Sequence, residues 1–287
     1  MKKELIKKNY LTKIELIQKH NKFYYDKNEP SITDQEYDIL KNEILSLEKK
    51  YPFLKNKKSP SNSIGYKPSK NFKKVKHKVP MLSLANAFNE DDLKNFEKKI
   101  LNFLSMNNNN IIEYSAEPKI DGISASLIYV KGKLTKGLSR GDGRDGEDIT
   151  ENLKTINDIP KFIEKSNFPS EIDIRGEVFI NNSDFKKLEG KFANPRNAAS
   201  GSLRQKNPEV TNKIPLKFIA YTHGHTLDLN IKNQSDFLEN LSKWGFKTNP
   251  FNKIISGVNN LLSDHVDLEK KINEINFDID GIVYKVN

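Results

Sequence analysis

The chain of 287 residues contains no cysteine. This absence excludes a disulfide framework, a metal site built on thiolates and a cysteine nucleophile. Histidine is also scarce, and its five positions show no metal-ligand spacing beyond the pair at 223 and 225, which we interpret as polar residues at a strand end. We therefore expect no metal site built from cysteine or histidine side chains.

Long apolar runs are missing as well. No stretch approaches the roughly 20 apolar residues that a membrane-spanning helix needs. The first four residues, Met-Lys-Lys-Glu, do not lead into the apolar region that a signal peptide requires. The sequence thus predicts a soluble cytoplasmic protein with no membrane contact.

Arginine is rare in a chain that is otherwise rich in basic residues. Lysine and arginine together number 48 against 38 acidic residues, for a formal net charge of +10, yet only five of them are arginine. The charge suggests a polyanionic partner such as nucleic acid, with a solvated lysine coat as the alternative. All five arginines lie between positions 140 and 204. Because the planar guanidinium grips phosphate bidentately and lysine does not, this segment is a candidate site.

Helical patterns occupy the first part of the chain. Apolar residues at helical spacing predict a helix over residues 4–22, and the capping box Thr33-x-x-Glu36 predicts a second helix up to about Lys50. Residues 51–80 have the proline, glycine and lysine content of a linker. Asn89 is then predicted to cap a helix that extends to about Phe103.

Beyond residue 110 the pattern changes to alternation. Strands are predicted over 111–117, 123–130, 133–140, 172–180, 216–222 and 277–286, and helices over 195–205, 235–244 and 258–275. The strand over 172–180 carries three charges on one face, which is either exposed or lines a polar site. We expect the glycine-rich acidic loop 141–148 to shape a pocket rim. The whole pattern is typical of an α+β protein.

One lysine stands at the end of a predicted strand, within the sequence Glu117-Pro-Lys119-Ile-Asp121-Gly. Lysine is a nucleophile only when its amine is neutral, so a catalytic lysine needs a pKa below its usual value of about 10. The simpler interpretation is a turn at Asp121-Gly122 with a solvated lysine beside it. In a lysine-rich chain this motif alone decides nothing, and its meaning depends on the motifs around it.

Four further motifs accompany Lys119. They are Arg140-Gly-Asp-Gly, Arg175-Gly-Glu177, the segment from Asn194 to Gln205, and Asp280-Gly-x-x-x-Lys285. In the third, asparagine and proline mark a helix start followed at once by Arg196. Because helix N-termini attract phosphate, this start is a candidate phosphate site.

The ordered set of motifs resembles the NAD-dependent DNA ligase family, over essentially the whole chain. The most specific parts are Asn-Pro-Arg-Asn-Ala-Ala-Ser-Gly-Ser-Leu-Arg-Gln at 194–205, Met-Leu-Ser-Leu at 81–84 and Asp34-x-x-Tyr37-Asp38. The resemblance implies an N-terminal helical hairpin domain over residues 1–70, which grips the nicotinamide mononucleotide (NMN) half of NAD. It implies that residues 71–287 form an ATP-grasp-like nucleotidyltransferase (adenylation) domain with antiparallel sheets.

The family's reaction assigns roles to these residues. Lys119 would attack the α-phosphate of NAD, release NMN and become lysyl-AMP, from which AMP passes to the 5′-phosphate of a DNA nick before sealing. Lys285 would hold the α-phosphate, and Mg²⁺ or Mn²⁺ is expected near Glu177. The residues implied in nucleotide binding are Tyr24, Asp34, Tyr37 and Asp38 for the NMN half, and Ser83, Leu84, Glu117, Asp121, Arg140, Glu177, Tyr221 and Lys285 for the adenylate. Arg196 and Arg204 are similar to family residues that meet the nucleotide phosphate or the DNA backbone.

The resemblance also implies which parts differ from a complete ligase. The chain ends two residues after Lys285, before the strand that carries the family's last α-phosphate lysine, so we expect a C-terminally truncated adenylation domain. One alternative is a non-catalytic NAD-binding or DNA-binding module. An ATP-using ligase or capping-type enzyme is a second, but it would not explain the Asp34-x-x-Tyr37-Asp38 motif. The expected partner is nicked double-stranded DNA in replication and repair, and we expect a monomer.

Overall fold

A computed structural model describes residues 2–23, 31–32, 34–55, 59, 72–107, 109–188, 190–271 and 274–287. The chain divides into two compact units. Unit 1 comprises Met1–Ser83 and Arg140–Asp148, and unit 2 comprises Leu84–Ser139 and Ile149–Asn287.

Helices and antiparallel strands alternate along the described parts of the chain. The α-helices are α1 (Lys2–Lys22), α2 (Asp34–Lys50), α3 (Glu90–Phe103), α4 (Thr150–Leu153), α5 (Asn182–Phe185), α6 (Pro195–Leu203), α7 (Pro208–Asn212), α8 (Gln234–Lys243) and α9 (Val258–Lys271). The strands are β1 (Lys74–Lys76), β2 (Glu113–Ile120), β3 (Ile123–Val130), β4 (Lys133–Ser139), β5 (Asp145–Glu147), β6 (Glu171–Ile180), β7 (Leu216–Leu227), β8 (Lys253–Ser256) and β9 (Ile279–Val286). The predicted α+β class is confirmed.

In unit 1, α1 and α2 form the predicted helical hairpin. Their apolar faces share one buried cluster, to which the helices contribute Tyr10, Ile14, Ile17, Leu40 and Ile44 and the turn after α2 contributes Leu54. The buried hydroxyl of Tyr10 donates to Glu48 Oε1 at 2.7 Å, so the one polar atom of that ring is satisfied. Thr33, the first residue of the predicted capping box, lies outside the described residues.

Unit 1 also contains a small sheet that the sequence pattern did not predict. Strand β1 pairs antiparallel with β5, with Val75 opposite Gly146. The sequence predicts a linker over 51–80 and a loop over 141–148, because strands of three residues carry no periodic signal. The loop before β5 is tightly turned, since Asp142 Oδ1 accepts from the backbone N–H groups of Arg144 and Asp145 at 2.9 and 2.8 Å.

Unit 2 contains a four-stranded antiparallel sheet in the order β4-β3-β6-β7. The β3–β4 hairpin turns at Lys131 and Gly132, which both have positive φ (50° and 74°), the geometry that favours glycine in two-residue hairpins. Strand β6 is central and buried on both faces. Its charged face, which was predicted to be exposed or to line a polar site, buries an ion pair between Arg175 Nη2 and Asp173 Oδ2 at 3.1 Å.

The second sheet of unit 2 has the order β8-β2-β9 and carries Lys119 on its central strand. Helices α3 and α9 pack with it through an apolar cluster of Leu101, Ile112, Tyr114, Val258 and Leu261. Strand β8 was not predicted, because its four residues follow a proline-containing loop without a clear alternation. Both neighbours of β2 are antiparallel, and the β9 register places Lys285 opposite Ser115 and Val283 opposite Glu117.

Within the ranges that the structure describes, no helix has the length and apolar content needed to cross a membrane.

Candidate nucleotide-binding site

Strand β2 carries the central residues of the candidate site. Glu117 and Lys119 are two residues apart on this strand, so their side chains leave the same face. Between them, Pro118 has no N–H to give to a neighbouring strand. The ladder to β8 ends at Ala116, which pairs with Lys253, and beyond it the side-chain amide of Asn249 donates to the Pro118 carbonyl at 3.2 Å. A buried asparagine therefore binds the Pro118 carbonyl beyond the end of the ladder to β8.

A bulge in β9 faces Lys119. Pro118 pairs with Ile282 and Ile120 pairs with Ile279. One residue of β2, Lys119, therefore opposes two residues of β9, Asp280 and Gly281. Gly281 has a φ of 132°, which side-chain-bearing residues rarely adopt. The extra residue brings Asp280 to the lysine, and Lys119 Nζ donates to Asp280 Oδ2.

We predict that Gly281→Ala disrupts this bulge. The space around the glycine is open, since nothing lies within 4 Å of an added Cβ, so the cost arises from the backbone conformation alone. We expect a loss of about 1–3 kcal/mol in the free energy of unfolding, measured by urea denaturation. Any reaction at Lys119 should slow by at least about tenfold, because the bulge holds Asp280 in place.

Gly190→Ala is the matched control for this variant. Gly190 also has a positive φ, 75°, and open space around its Cβ position, but it belongs to neither β2 nor β9. It should lose similar stability without slowing the reaction at Lys119. Equal loss of reaction rate in both variants would mean that the bulge only stabilises the fold.

A second ion pair lies beside the first. Arg196, in the first turn of α6, donates from Nη1 to Asp121 Oδ1. Burial lowers the pKa of Arg196 to about 10, an effect that the nearby carboxylate of Asp280 opposes. The guanidinium remains charged at neutral pH. The start of α6 is fixed by its cap, since Asn194 Oδ1 accepts from the Asn197 N–H at 2.7 Å, as the sequence predicted.

Farther back along β2, Glu117 is the centre of a buried polar cluster. Its Oε1 accepts from Ser115 Oγ at 2.9 Å and from Gln234 Nε2 at 2.8 Å, while its Oε2 accepts from Lys285 Nζ at 2.7 Å. The Tyr221 carbonyl accepts from Lys285 and from Gln234, at 2.9 and 2.8 Å. We call these five residues the Glu117 cluster.

Lys285, for which the resemblance implied an α-phosphate role, lies in the Glu117 cluster. Lys285 stands opposite Ser115, four residues before Lys119 on β2, which is about 13 Å along a strand. Its ammonium group contacts Glu117 and lies 5.4 Å from the centre of the Tyr221 ring. Burial lowers the pKa of Lys285, and Glu117 opposes that shift. Its contacts are thus those of the Glu117 cluster.

Glu177 lies on β6, opposite Ser124 of β3, and its Oε2 accepts from Ser124 Oγ at 2.9 Å. Gly122 lets these strands approach closely, because a Cβ there would lie 2.4 Å from the Val178 carbonyl oxygen. Over the described ranges, no group of three or more histidine or acidic side chains is placed to hold a metal ion.

Some predicted site residues lie in unit 1. Arg140 donates from Nη2 to Ser83 Oγ at 2.8 Å and from Nε to the Met81 carbonyl at 3.3 Å. Tyr37 donates to Asn21 Oδ1 at 2.8 Å. Asp34 and Asp38 lie on α2, but their side chains, like all of Tyr24, are outside the described residues.

The remaining two predicted residues lie in unit 2. Leu84 is exposed. Arg204 is half-buried and ends α6 as its C-cap.

Three residues gain a place in the site that the sequence did not assign. Asp280 belongs to a motif that had been noted, but only the structure pairs it with Lys119. Gln234 directly precedes the predicted helix 235–244, and no motif of the sequence includes Gln234 or Asn249. No spacing in the sequence connects either of them to β2, so only the fold identifies them.

Two family models match this chain. The family model described as NAD-dependent DNA ligase adenylation domain matches residues 69–287, and the model described as DNA ligase-like, N-terminal NAD+-binding domain matches residues 4–65.

Several curated relatives carry the name DNA ligase. One from Pelagibacter ubique is 73% identical over 97% of this chain and 41% of its own length, and one from Parvibaculum lavamentivorans is 46% identical over 94% of this chain and 39% of its own. One from Geotalea daltonii is 41% identical over 94% of this chain and 42% of its own length. The chain thus spans about two-fifths of the length of these relatives.

A solved structure called Pmar-Lig_Pre. aligns with 90% of this chain and 49% of its own, at 15% identity and a TM-score of 0.42, which is too low to add to the assignment. The two family models together cover almost the whole chain. The chain belongs to the NAD-dependent DNA ligase family.

Proposed function

We propose that this chain carries the self-adenylating part of an NAD-dependent DNA ligase. The observation that carries the proposal is the position of Lys119, on a strand face that it shares with Glu117 and opposite a bulge that supplies Asp280. Asp121 and Arg196 form a second ion pair beside it. A nucleophile with charged neighbours, two residues along the strand from a buried polar cluster, suits attack on a bound adenylate.

The proposed reaction at Lys119 is a nucleotidyl transfer, in which the AMP group of NAD moves to the lysine. The neutral Nζ attacks the α-phosphorus of NAD, and a nitrogen–phosphorus bond forms as the bond from phosphorus to the bridging oxygen breaks. NMN leaves with that electron pair. Before the attack, the Lys119 ammonium group would give one proton to the carboxylate that it contacts, Asp280. The nitrogen would lose a second proton to water once the nitrogen–phosphorus bond has formed. The charged guanidinium of Arg196 would stabilise the negative charge that develops on the phosphate oxygens.

The Glu117 cluster would hold the base. Glu117 offers a carboxylate to the purine edge, and Tyr221 offers an aromatic face for stacking. We propose that Lys285 acts here as well, at the base end of the pocket instead of at the α-phosphate, because its ammonium group is bound to Glu117 and to the Tyr221 carbonyl. Glu177 would meet the ribose from β6.

The other nucleotide contacts are proposed from the family assignment. Residues 1–70 would form the module that grips the NMN half, through Tyr24, Asp34, Tyr37 and Asp38, and residues 71–287 the adenylation domain. The family-model matches at 4–65 and 69–287 support this division. Ser83, Leu84 and Arg140 would support the nucleotide, and the Arg140–Ser83 hydrogen bond would keep that arginine oriented.

The site offers Mg²⁺ a carboxylate, and the other ligands would be water and the phosphates of the substrate. The ion retains several waters and is commonly held by one or two carboxylates together with substrate phosphates. Glu177, with one oxygen bound to Ser124, could be such a carboxylate. When bound, the ion would supply positive charge at the phosphate oxygens.

The later steps would use DNA. AMP would pass from Lys119 to the 5′-phosphate of a nick, and the 3′-hydroxyl would then displace it. The net charge of +10 supports a phosphate-rich partner, and Arg196 and Arg204 are candidates to contact the nucleotide phosphate or the DNA backbone. This function would place the protein in the cytoplasm as a monomer that acts in DNA replication and repair.

The intact mass of the purified chain tests the proposal. Incubation with NAD and Mg²⁺ should add the mass of one AMP, and incubation with ATP should add nothing. A gain with ATP alone would favour an ATP-using ligase or capping-type enzyme. If the chain binds NAD and gains no mass, it is a non-catalytic binding module and self-adenylation is refuted.

A further inference from the structure

The start of helix α8 is fixed against the Glu117 cluster. Its cap residue, Asn233, accepts from the Asp236 N–H at 2.9 Å, and the Ser235 N–H donates to Asn287 Oδ1 at 2.8 Å, just beyond the end of β9. Gln234, the first residue of the helix, lies between these two attachments. Its backbone therefore has little freedom to move relative to the strand that carries Lys285.

Gln234 uses both N–H groups of its side-chain amide. One donates to Glu117 Oε1 and the other to the Tyr221 carbonyl, each at 2.8 Å. Lys285 bridges the same two partners, at 2.7 and 2.9 Å. The carboxylate and the tyrosine backbone are thus connected twice, by a neutral amide and by a cation. A primary amide has two donor hydrogens, so Gln234 has no donor left for a ligand.

These donors leave Glu117 with limited capacity for a ligand. An ionised carboxylate has about four acceptor positions, and Ser115, Gln234 and Lys285 occupy three of them. About one position remains, and the three donors determine where it points. A 6-aminopurine can donate its amino hydrogen to that position. A 6-oxopurine would bring an acceptor against an acceptor, which is unfavourable when both are desolvated.

We propose that Gln234 is a specificity-determining positioning residue, which acts through Glu117 and Tyr221 to make the pocket select 6-aminopurines over 6-oxopurines. The inference rests on the proposed nucleotide site and adds the residue that sets its base preference. Lys285 also binds Glu117, but its flexible side chain holds the orientation of the carboxylate less firmly than the planar amide of Gln234 does. Without Gln234, the Glu117 carboxylate can rotate about its terminal bond. Its remaining acceptor position then no longer points in one direction, and the preference for a 6-amino group decreases.

The test compares AMP with IMP as probes, by isothermal titration calorimetry on the full chain. We expect the wild type to bind AMP at least about tenfold more tightly than IMP. In Gln234→Met, which keeps side-chain length and helix propensity but has no donor, the ratio of the two Kd values should fall by about five- to tenfold. The control is Asn240→Met, an amide on the same helix whose Nδ2 donates to its own helix at Asp236. Its ratio should stay at the wild-type value.

The outcomes separate this inference from the proposed function. If Gln234→Met weakens both nucleotides equally, the residue is only structural and the inference is wrong. A wild type that binds AMP without preferring it to IMP also overturns the inference, while the nucleotide site stands. Failure of the wild type to bind AMP would overturn the proposed function, and the inference with it. Gln234→Leu repeats the comparison if the methionine variant does not fold.

Discussion

Lys119→Ala should abolish the attachment of AMP and leave nucleotide binding nearly unchanged. The side chain is the proposed nucleophile, and the other lysine of the site, Lys285, is bound to Glu117 and to the Tyr221 carbonyl. Both side chains of the ion pair between Lys119 and Asp280 are partly exposed, so loss of the pair should cost little stability. Intact mass after incubation with NAD and Mg²⁺ measures the attachment, and the rise in Tm on addition of AMP measures binding.

Lys119→Arg is the informative control for that variant. It keeps a positive charge beside Asp280, but a guanidinium is not deprotonated at neutral pH and does not act as a nucleophile. We expect it to bind AMP and gain no mass. If either variant still gained one AMP, another residue would be the nucleophile, and the assignment of β2 as the catalytic strand would be wrong.

Lys285→Met should have the largest effect on stability. It leaves the Glu117 carboxylate, which is only 6% exposed at its side chain, without its cationic partner. Removing one partner of a buried pair costs about 3–5 kcal/mol, and the 24% exposure of Lys285 reduces this, so we expect about 2–3 kcal/mol. Urea denaturation measures the change. AMP binding should weaken at least about tenfold, because the cluster that holds the base is disturbed.

Two further variants make this result specific. Lys253→Met removes a lysine of the same sheet, whose partner Asp264 lies at 2.6 Å but whose own side chain is 46% exposed, and it should cost less than about 1 kcal/mol. The double variant Glu117→Gln/Lys285→Met should recover much of the lost stability without recovering AMP binding. If Lys285→Met cost no more than Lys253→Met, the Glu117 cluster would not be the buried charge network described above.

Local signals in the sequence were sufficient for the longer elements. Helical spacing and the asparagine caps before Glu90 and Pro195 predicted α1, α3 and α6, and the caps bind as expected. Alternation predicted β3, β4 and β6. The short strands β1, β5 and β8 were missed, since each is held by pairing with a distant segment and not by its own pattern.

The site was predictable as a set of motifs but not as a geometry. Lys119 is far from Asp280 and Lys285 in the sequence, and only the family resemblance groups the three residues in one site. The one-residue bulge at Gly281 brings Asp280 to Lys119. It depends on strand register and has no local signal in the sequence. Gln234 and Asn249 reach β2 from loops and helix ends more than 100 positions away in the chain, so only the fold places them there.

The position of the AMP group on the protein is the most direct test of the account. The chain would be incubated with NAD and Mg²⁺, digested at neutral to alkaline pH, where a phosphoramidate is preserved, and mapped by tandem mass spectrometry. The account predicts AMP on the peptide that contains Lys119 and on no other. AMP on a different lysine would contradict it.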